Sequence, residues 1–308
     1  MLTIPSQFLS NLAFLLMAGS FILSACGPAD LPTLPPPSAS PLPVSTATLI
    51  PSSTSTITPT RTPSPAPTAT LAGCQQTSGR IVEGVIETEL LDKPIKYNVY
   101  LPPCYDSETG QRYPILYLLH GQNFDEDQWL RIGATRTADR LIAAGEIPPL
   151  IIVMPFDHSF KQPSEYKFDE AFLTLLLPRI DADYRTRPDR QHRAIGGLSR
   201  GGAWAIHLGI RHPDLFGAIG AHSPAIFYSD TSTLPILLRD LPPEQSPQIF
   251  IDAGDHDVEL VTTQSFIALL NAQDVSYEWH AFIGYHEEKY WSAHVEDYLR
   301  WYSAVWNE

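Results

Sequence analysis

Short apolar runs alternate with helix-like stretches along most of the chain, and this alternation constrains the fold more than any other feature. The runs are rich in Ile, Val and Leu and occupy residues 113–119, 150–155, 193–197, 216–223 and 248–254. Runs of this kind are typical of parallel strands buried on both faces. The helix-like stretches lie at residues 134–145, 169–182, 202–211, 258–272 and 291–306. Their order predicts an α/β fold, with a mostly parallel central sheet and helices on both faces.

Three further segments complete the predicted sheet. Residues 80–91 and 94–102 alternate apolar and polar side chains, which predicts two antiparallel strands that open the domain. The run at 276–284 precedes the last helix-like stretch and predicts the final strand. We find no internal repeat, and one α/β domain over residues 73–308 accounts for the whole order.

The first 72 residues differ from this domain in composition. Residues 8–26 are apolar and nearly free of charge, as in a secretory signal peptide, and they end in LSAC. That ending resembles the lipobox of bacterial lipoproteins, which predicts a signal peptide over 1–25 and lipidation of Cys26. No Lys or Arg precedes the apolar run, and an uncleaved transmembrane anchor is the alternative. Both interpretations place the rest of the chain outside the cytoplasm, anchored to the membrane or, as a further alternative, secreted.

Residues 26–72 are dominated by Pro, Ser, Thr, Ala and Leu, which predicts a disordered tether. Their charges, Asp30 and Arg61, cancel, so the formal net charge of −14 belongs to the domain. An acidic domain is a poor candidate for binding nucleic acid. If Cys26 carries lipid, Cys74 and Cys104 remain as a disulfide pair in an oxidising compartment; two unrelated thiols are the alternative.

A glycine-flanked serine follows the third of the buried runs. The segment GLSRG at 197–201 matches the Gly-x-Ser-x-Gly nucleophile elbow, with a strand before it and a helix after it. Side chains at Gly197 or Gly201 are expected to collide with the neighbouring strand or helix. The helix that begins near Gly202 points its positive dipole end at Ser199 and favours a developing oxyanion.

An acid and a base follow the serine in the order that this motif requires. Asp255 and Asp257 lie in the loop after the strand at 248–254, and His286 lies in the loop before the last helix. Asp252 lies within the strand and is a poorer candidate. The other histidines are placed less well, within strands or helices: His280, His294, His207 and His212. A metal site is disfavoured because the spacing matches no standard ligand pattern.

The loop after residues 113–119 is expected to supply part of an oxyanion hole. The backbone N–H of Gln122 is one expected donor, and the N–H of Arg200 is the other. The side chain of His120 is expected to pack and orient this loop.

These segments together resemble the "Putative esterase" (esterase D-like) family of α/β-hydrolases over about residues 80–306. The motifs that carry the resemblance are YLLHGQNFDEDQW, RAIGGLSRGGAWAI, DAGDHD and HEEKYW. The family includes feruloyl, acetylxylan and enterochelin esterases, S-formylglutathione hydrolases and mycolyltransferases. The resemblance implies an α/β-hydrolase fold without a cofactor or metal. It favours Asp257 over Asp255, since the family's acid closes a Gly-x-x-Asp stretch. Arg200 departs from the methionine frequent in the family, and we expect its cation to favour an anionic or polar substrate.

The resulting hypothesis is an extracytoplasmic serine ester hydrolase with the triad Ser199, His286 and Asp257. Carbohydrate-linked or siderophore-type esters are the expected substrates. The alternatives are an acyltransferase to a sugar hydroxyl and a non-catalytic binding module on a hydrolase scaffold. Aromatic side chains in segments 156–167 and 223–247 either bind substrate or pack internally, and the oligomeric state stays open.

Overall fold

The computed structural model describes residues 74–306. The predicted signal peptide at 1–25, the lipidation of Cys26 and the tether at 26–72 lie outside these residues. Within the described part, eight strands form one sheet in the order β1-β2-β4-β3-β5-β6-β7-β8. The strands are β1 (Arg80–Ile86), β2 (Ile95–Leu101), β3 (Ile115–Leu119), β4 (Ile151–Pro155), β5 (Arg193–Leu198), β6 (Ala218–His222), β7 (Gln248–Gly254) and β8 (Glu278–Phe282).

The sheet is antiparallel at one edge and parallel elsewhere. Strand β2 pairs antiparallel with both β1 and β4. The other neighbouring pairs, from β4-β3 to β7-β8, are parallel. The α/β fold class and the antiparallel opening strands predicted from the sequence are confirmed.

Helices cover both faces of the sheet. They are α1 (Gln128–Arg131), α2 (Ala134–Ala143), α3 (Phe168–Ala171), α4 (Leu177–Asp183), α5 (Arg200–Arg211), α6 (Leu234–Arg239), α7 (Leu260–Ala272) and α8 (Glu288–Val305). The short helices α1 and α6 were not expected from the sequence. Helix α5 begins at Arg200, directly after Ser199, and not near Gly202 as the sequence suggested.

The predicted helix at 169–182 is interrupted by a π-helical turn. This turn spans Phe172–Leu176 and separates α3 from α4. Pro178 follows in the first turn of α4. Proline has no N–H to donate and its ring crowds the carbonyl four residues earlier, which accounts for the local widening of the helix.

Side chains of the central strands alternate between two cores. In β3, Ile115, Tyr117 and Leu119 pack in the core that includes α4, α5, α6 and α7. Leu116 and Leu118 point to the opposite core, which contains α1, α2 and α8. This division follows from the two-residue period of a strand, and it explains why the central runs are apolar throughout.

The strand order creates a crevice between β3 and β5. These strands are parallel neighbours, with Leu119 opposite Gly197. The chain leaves β3 for α2 on one face and leaves β5 for α5 on the other. The loops therefore diverge at the carboxyl ends of the two strands, which is where open α/β sheets bind ligands.

A disulfide closes the start of the domain. Cys74 and Cys104 are joined with an S–S distance of 2.08 Å across 30 residues of sequence. The loop between them contains β1 and β2, and the Cys104 side of the bridge is buried. Within residues 74–306, no helix combines the length and apolar character that crossing a bilayer demands.

We expect the disulfide to stabilise the domain by about 3–4 kcal/mol, because it removes loop-closure entropy from the unfolded chain. Urea unfolding of the domain with and without a phosphine reductant measures this difference. The variant Cys74→Ala/Cys104→Ala is the control, since the reductant has no bond to break in it. An unfolding midpoint of the parent that does not respond to reductant would contradict the expectation.

Candidate active site

Ser199 occupies the sharp turn between β5 and α5. Its φ of 54° and ψ of −120° lie in a region that non-glycine residues rarely adopt. The backbone amide of Ser199 donates to the carbonyl of His222 at 2.8 Å, and its own carbonyl accepts from Ala203 and Ala225, each at 3.1 Å. These hydrogen bonds hold the strained conformation and keep the serine at the mouth of the crevice.

The two glycines around Ser199 are required by close backbone contacts. A Cβ at Gly197 would lie 2.3 Å from the backbone of Gly201, which lies in the first turn of α5. A Cβ at Gly201 would lie 2.1 Å from the carbonyl oxygen of Leu119 at the end of β3. The expected collisions with helix and strand are therefore present at both positions.

A hydrogen-bonded chain connects Ser199, His286 and Asp257. The Nε2 of His286 lies 2.9 Å from the Oγ of Ser199, and its Nδ1 lies 2.8 Å from an oxygen of Asp257. An ionised carboxylate only accepts, so Nδ1 carries the proton and Nε2 accepts from the serine hydroxyl. The edge of Trp291 lies against the imidazole, with ring centroids 5.0 Å apart.

Asp257 is held ionised despite its burial. Burial acts to raise the pKa of its carboxyl, but hydrogen bonds from His286, from the hydroxyl of Ser223 and from the backbone amide of Glu259 bring the pKa below its ordinary value. The amide of Glu259 donates at 2.7 Å to the same oxygen that faces His286. The side chain is therefore a fixed negative charge behind the imidazole.

The other aspartates considered for this position have different partners. Asp255 accepts from the backbone amide of Gly284 at 2.9 Å and contacts His256, so it fastens the loop that carries His286. Asp252 is fully buried, and its oxygens contact Nδ1 of His222 and the hydroxyls of Tyr290 and Tyr298. Of the three, Asp257 is the one that contacts His286.

The amides of Gln122 and Arg200 are available beside the serine. The amide of Gly121 is taken, since it donates to Oε1 of Gln128 at 2.7 Å. A Cβ at Gly121 would lie 3.4 Å from the Cβ of Ser199, so this loop runs directly past the serine. Within residues 74–306, neither the Gln122 amide nor the Arg200 amide donates to a protein acceptor.

His120 orients this loop through both ring nitrogens. Its Nδ1 contacts the carbonyl of Gly121 at 2.7 Å, and its Nε2 accepts from the backbone amide of Asp157 at 2.9 Å. Burial lowers the pKa of the imidazole below its ordinary value. A neutral ring is required here, because Nε2 must accept a hydrogen bond.

The side chain of Arg200 does not present a cation to the cleft. It is 4% exposed, and its Nε lies 2.8 Å from a carboxylate oxygen of Asp157. A second guanidinium nitrogen donates to the carbonyl of Lys161. The expectation that Arg200 favours an anionic or polar substrate is therefore wrong, because this charge is buried and already neutralised.

Asp157 was not anticipated from the sequence. It lies just after β4, and the carboxylate oxygen that accepts from Arg200 also accepts from Nε1 of Trp204 at 2.6 Å. Its other oxygen accepts from the backbone amide of Ser159. This one residue therefore connects the loop after β3, through His120, with the first turns of α5.

Three of the other histidines considered from the sequence contact carboxylates outside the Ser199 site. His280 contacts Glu278, His294 contacts Asp297, and His207 contacts Asp230. Among the described residues, no cluster of three or more His, Cys, Asp or Glu side chains is arranged to hold a metal ion.

Aromatic residues beside the cleft divide into packed and exposed groups. Phe227 is buried against Trp204, with ring centroids 4.8 Å apart, and Tyr166 is also buried. Phe160 and Tyr228, by contrast, are 62% and 83% exposed on the loops after β4 and β6. Of these four residues, Phe160 and Tyr228 are the accessible ones.

Buried ion pairs attach the loop after β6 to α5. His207 of α5 contacts Asp230 at 2.8 Å and Asp169 at 3.5 Å, and Arg211 donates to Asp230 at 2.9 Å. Burial acts to lower the pKa of His207, but the hydrogen bonds to the two carboxylates raise it above its ordinary value.

The family model described as "Putative esterase" matches residues 88–302, and the chain belongs to this family. An endo-1,4-beta-xylanase/feruloyl esterase of Xylanibacter ruminicola is 32% identical over 58% of this chain and 25% of its own length. An esterase of Mycobacterium tuberculosis is 35% identical over 41% of this chain and 28% of its own length. The chain thus matches about a quarter of these relatives.

Solved structures agree with the fold. A ferulic acid esterase superposes with a TM-score of 0.67 and 28% identity, covering 74% of this chain and 99% of that one. An S-formylglutathione hydrolase of Staphylococcus aureus has a TM-score of 0.62 and 19% identity, covering 74% and 98%. The chain therefore has the α/β-hydrolase fold and is related to feruloyl esterases.

We expect the variant His207→Gln to lose more stability at pH 5.5 than at pH 8.5. A raised folded-state pKa contributes stability that is fully present below the unfolded pKa of about 6.5 and is lost as pH rises through the folded value. Loss of charged hydrogen bonds predicts an excess destabilisation on the order of 2 kcal/mol at the lower pH, measured by urea unfolding.

His280→Gln is the matched control, since its half-exposed imidazole contacts a single exposed carboxylate. We expect little difference between the two pH values for this variant. Equal destabilisation of His207→Gln at both pH values would show that the imidazole contributes only by packing.

Proposed function

We propose that the chain is a serine carboxylic ester hydrolase in which Ser199, His286 and Asp257 form the catalytic triad. The continuous hydrogen-bonded chain from the serine hydroxyl through His286 to Asp257, with distances of 2.9 and 2.8 Å, carries this proposal. The strained backbone of Ser199 supports it, because a nucleophile elbow exposes the hydroxyl at the carboxyl end of the sheet.

The first half of the reaction transfers the acyl group to the enzyme. Oγ of Ser199 attacks the ester carbonyl carbon while Nε2 of His286 takes the hydroxyl proton. The carbonyl oxygen becomes an oxyanion that accepts from the amides of Gln122 and Arg200. Collapse of this intermediate expels the alcohol, which takes its proton from His286 and leaves an acyl-serine.

The second half returns the enzyme to its starting state. Water attacks the acyl-serine and gives a proton to His286, and the same two amides bind the second oxyanion. The carboxylic acid leaves as Ser199 recovers the proton. Throughout, Asp257 fixes the tautomer of His286 and stabilises the imidazolium without being protonated itself.

We propose carbohydrate-linked esters of an aromatic acid as the substrate class. The relatives named as feruloyl or ferulic acid esterases support this choice. Phe160 and Tyr228 support it as well, since exposed aromatic rings on the cleft loops suit stacking against a phenolic or sugar ring.

We also propose that the enzyme acts outside the cytoplasm and is attached to a membrane through lipid on Cys26. The apolar run at 8–26, its LSAC ending and the Pro/Ser/Thr-rich tether support this location. The Cys74–Cys104 disulfide supports it too, because such bonds persist in oxidising compartments.

Hydrolysis of methyl ferulate and p-nitrophenyl acetate by residues 73–308 tests the triad. We expect Ser199→Ala and His286→Ala to lower kcat/KM by about 10⁴-fold or more, because each removes a group that acts only as part of the triad. Asp257→Asn is expected to lower it by a similar factor, because it reverses the tautomer preference of the imidazole.

Asp255→Asn is the matched control, since it makes the same substitution two residues away and keeps an oxygen for the Gly284 amide. We expect it to retain most of the parent activity. Free ferulic acid as the only acyl product in the presence of added sugar would support hydrolysis. Parent-like rates in Ser199→Ala, or losses in Asp255→Asn equal to those in Asp257→Asn, would contradict the proposed triad.

A further inference from the structure

Gln128 connects the two loops that meet at Ser199. It begins α1 and is fully buried, with a relative exposure of 0%. Its Oε1 accepts from the amide of Gly121 at 2.7 Å, and its Nε2 donates to Glu288 at 3.2 Å. One amide side chain therefore joins the loop after β3 to the first turn of α8.

Glu288 is held from two sides and lies close to the base in sequence. It begins α8 two residues after His286, and Nη2 of Arg131 donates to its carboxylate at 2.6 Å. The hydrogen bond from Arg131 holds the pKa of this carboxyl below its ordinary value. We name these three side chains the Gln128–Glu288–Arg131 bridge. The bridge fixes α1 against the start of α8.

The amide that Gln128 binds is adjacent to the expected oxyanion donor. Gly121 and Gln122 share a peptide unit, and a Cβ added at Gly121 would lie 3.4 Å from the Cβ of Ser199. Occupation of the Gly121 amide by Gln128 fixes the orientation of the loop and leaves the Gln122 amide for substrate. Preorganised donors of this kind stabilise an oxyanion because they need no reorientation during the reaction.

We propose that Gln128 is a positioning residue that sets the oxyanion loop against the His286 loop through its bonds to Gly121 and Glu288. This inference rests on the proposed function, since it assigns Gln128 a part in the same site. Gln128 does not touch the reacting atoms, and it acts through the backbone of Gly121 and Gln122.

The variant Gln128→Glu tests the bridge because it retains an acceptor for Gly121 but replaces the donor that faces Glu288 with a second carboxylate. The charged groups around it are Glu288, Arg131 and, through Arg131, Asp125 and Asp127. Two carboxylates at this distance repel when both are ionised. At pH 8 we expect kcat for p-nitrophenyl acetate to fall by about 10- to 100-fold, approaching the loss of one oxyanion donor.

A folding defect alone would not produce the remaining pattern. We expect KM to stay near the parent value. The melting temperature at pH 8 is expected to fall, because two ionised carboxylates, one of them buried, then repel each other, so kcat is measured well below that temperature, where the variant is folded. We expect the kcat ratio of variant to parent to recover toward pH 5, where one carboxyl of the pair is protonated. The double variant Gln128→Glu/Glu288→Gln restores one donor and one acceptor across the bridge and is expected to regain most of the parent kcat at pH 8.

Gln128→Glu/Glu296→Gln is the matched control, because Glu296 also lies on α8 and pairs with an arginine, Arg140. This control should stay as impaired as Gln128→Glu alone. The inference is overturned if Gln128→Glu retains the parent kcat at pH 8, or if the two double variants have the same kcat.

Gln128→Met covers the case in which Gln128→Glu does not fold at pH 8. It removes both hydrogen bonds without adding charge, and a folded variant with the parent kcat would equally overturn the inference. The parent and Ser199→Ala are assayed alongside. Unchanged activity in Ser199→Ala would refute the proposed function. If Ser199→Ala loses its activity while the Gln128 variants keep the parent kcat, only this inference is refuted.

Discussion

The first turn of α5 approaches the end of β3 so closely that only glycine fits between them, and the rest of the site depends on this contact. A side chain at Gly201 would meet the carbonyl of Leu119, and one at Gly197 would meet Gly201 itself. The contact fixes where α5 begins and holds Ser199 at positive φ. It also brings the loop after β3 alongside the serine, so that the proposed nucleophile and the proposed oxyanion donors are set by the same backbone packing.

Three buried or half-buried polar side chains hold the loops that the sheet brings together. Asp157 joins the loop after β4 to His120 and Arg200, Gln128 joins the loop after β3 to α8, and Asp257 orients His286. Each satisfies backbone or side-chain donors that would otherwise be buried without a partner, which is costly. The polar network therefore stabilises the domain and gives the site a single geometry.

Backbone periodicity and loop position were sufficient to predict much of this arrangement. Continuous apolar runs predicted the parallel strands, and the rule that loops at strand ends carry chemistry selected Ser199, His286 and either Asp255 or Asp257. The family resemblance favoured Asp257, and the structure brings this residue together with Ser199 and His286. The burial of the Arg200 side chain was not predictable, because it depends on the ion pair with Asp157, 43 residues away in sequence. Gln128 was missed for a similar reason, since its role arises from contacts with Gly121 and Glu288 that only the fold creates.

The central claim is that Ser199 is the nucleophile of an esterase, and covalent labelling with a fluorophosphonate tests it most directly. The serine oxygen displaces fluoride and forms a stable adduct, which intact mass spectrometry counts and peptide mapping locates. We predict one adduct per chain, on Ser199. We also predict slow labelling of a His286→Ala variant, because the Ser199 hydroxyl has then lost its general base. An adduct on another serine, or an active enzyme that is never labelled, would contradict it.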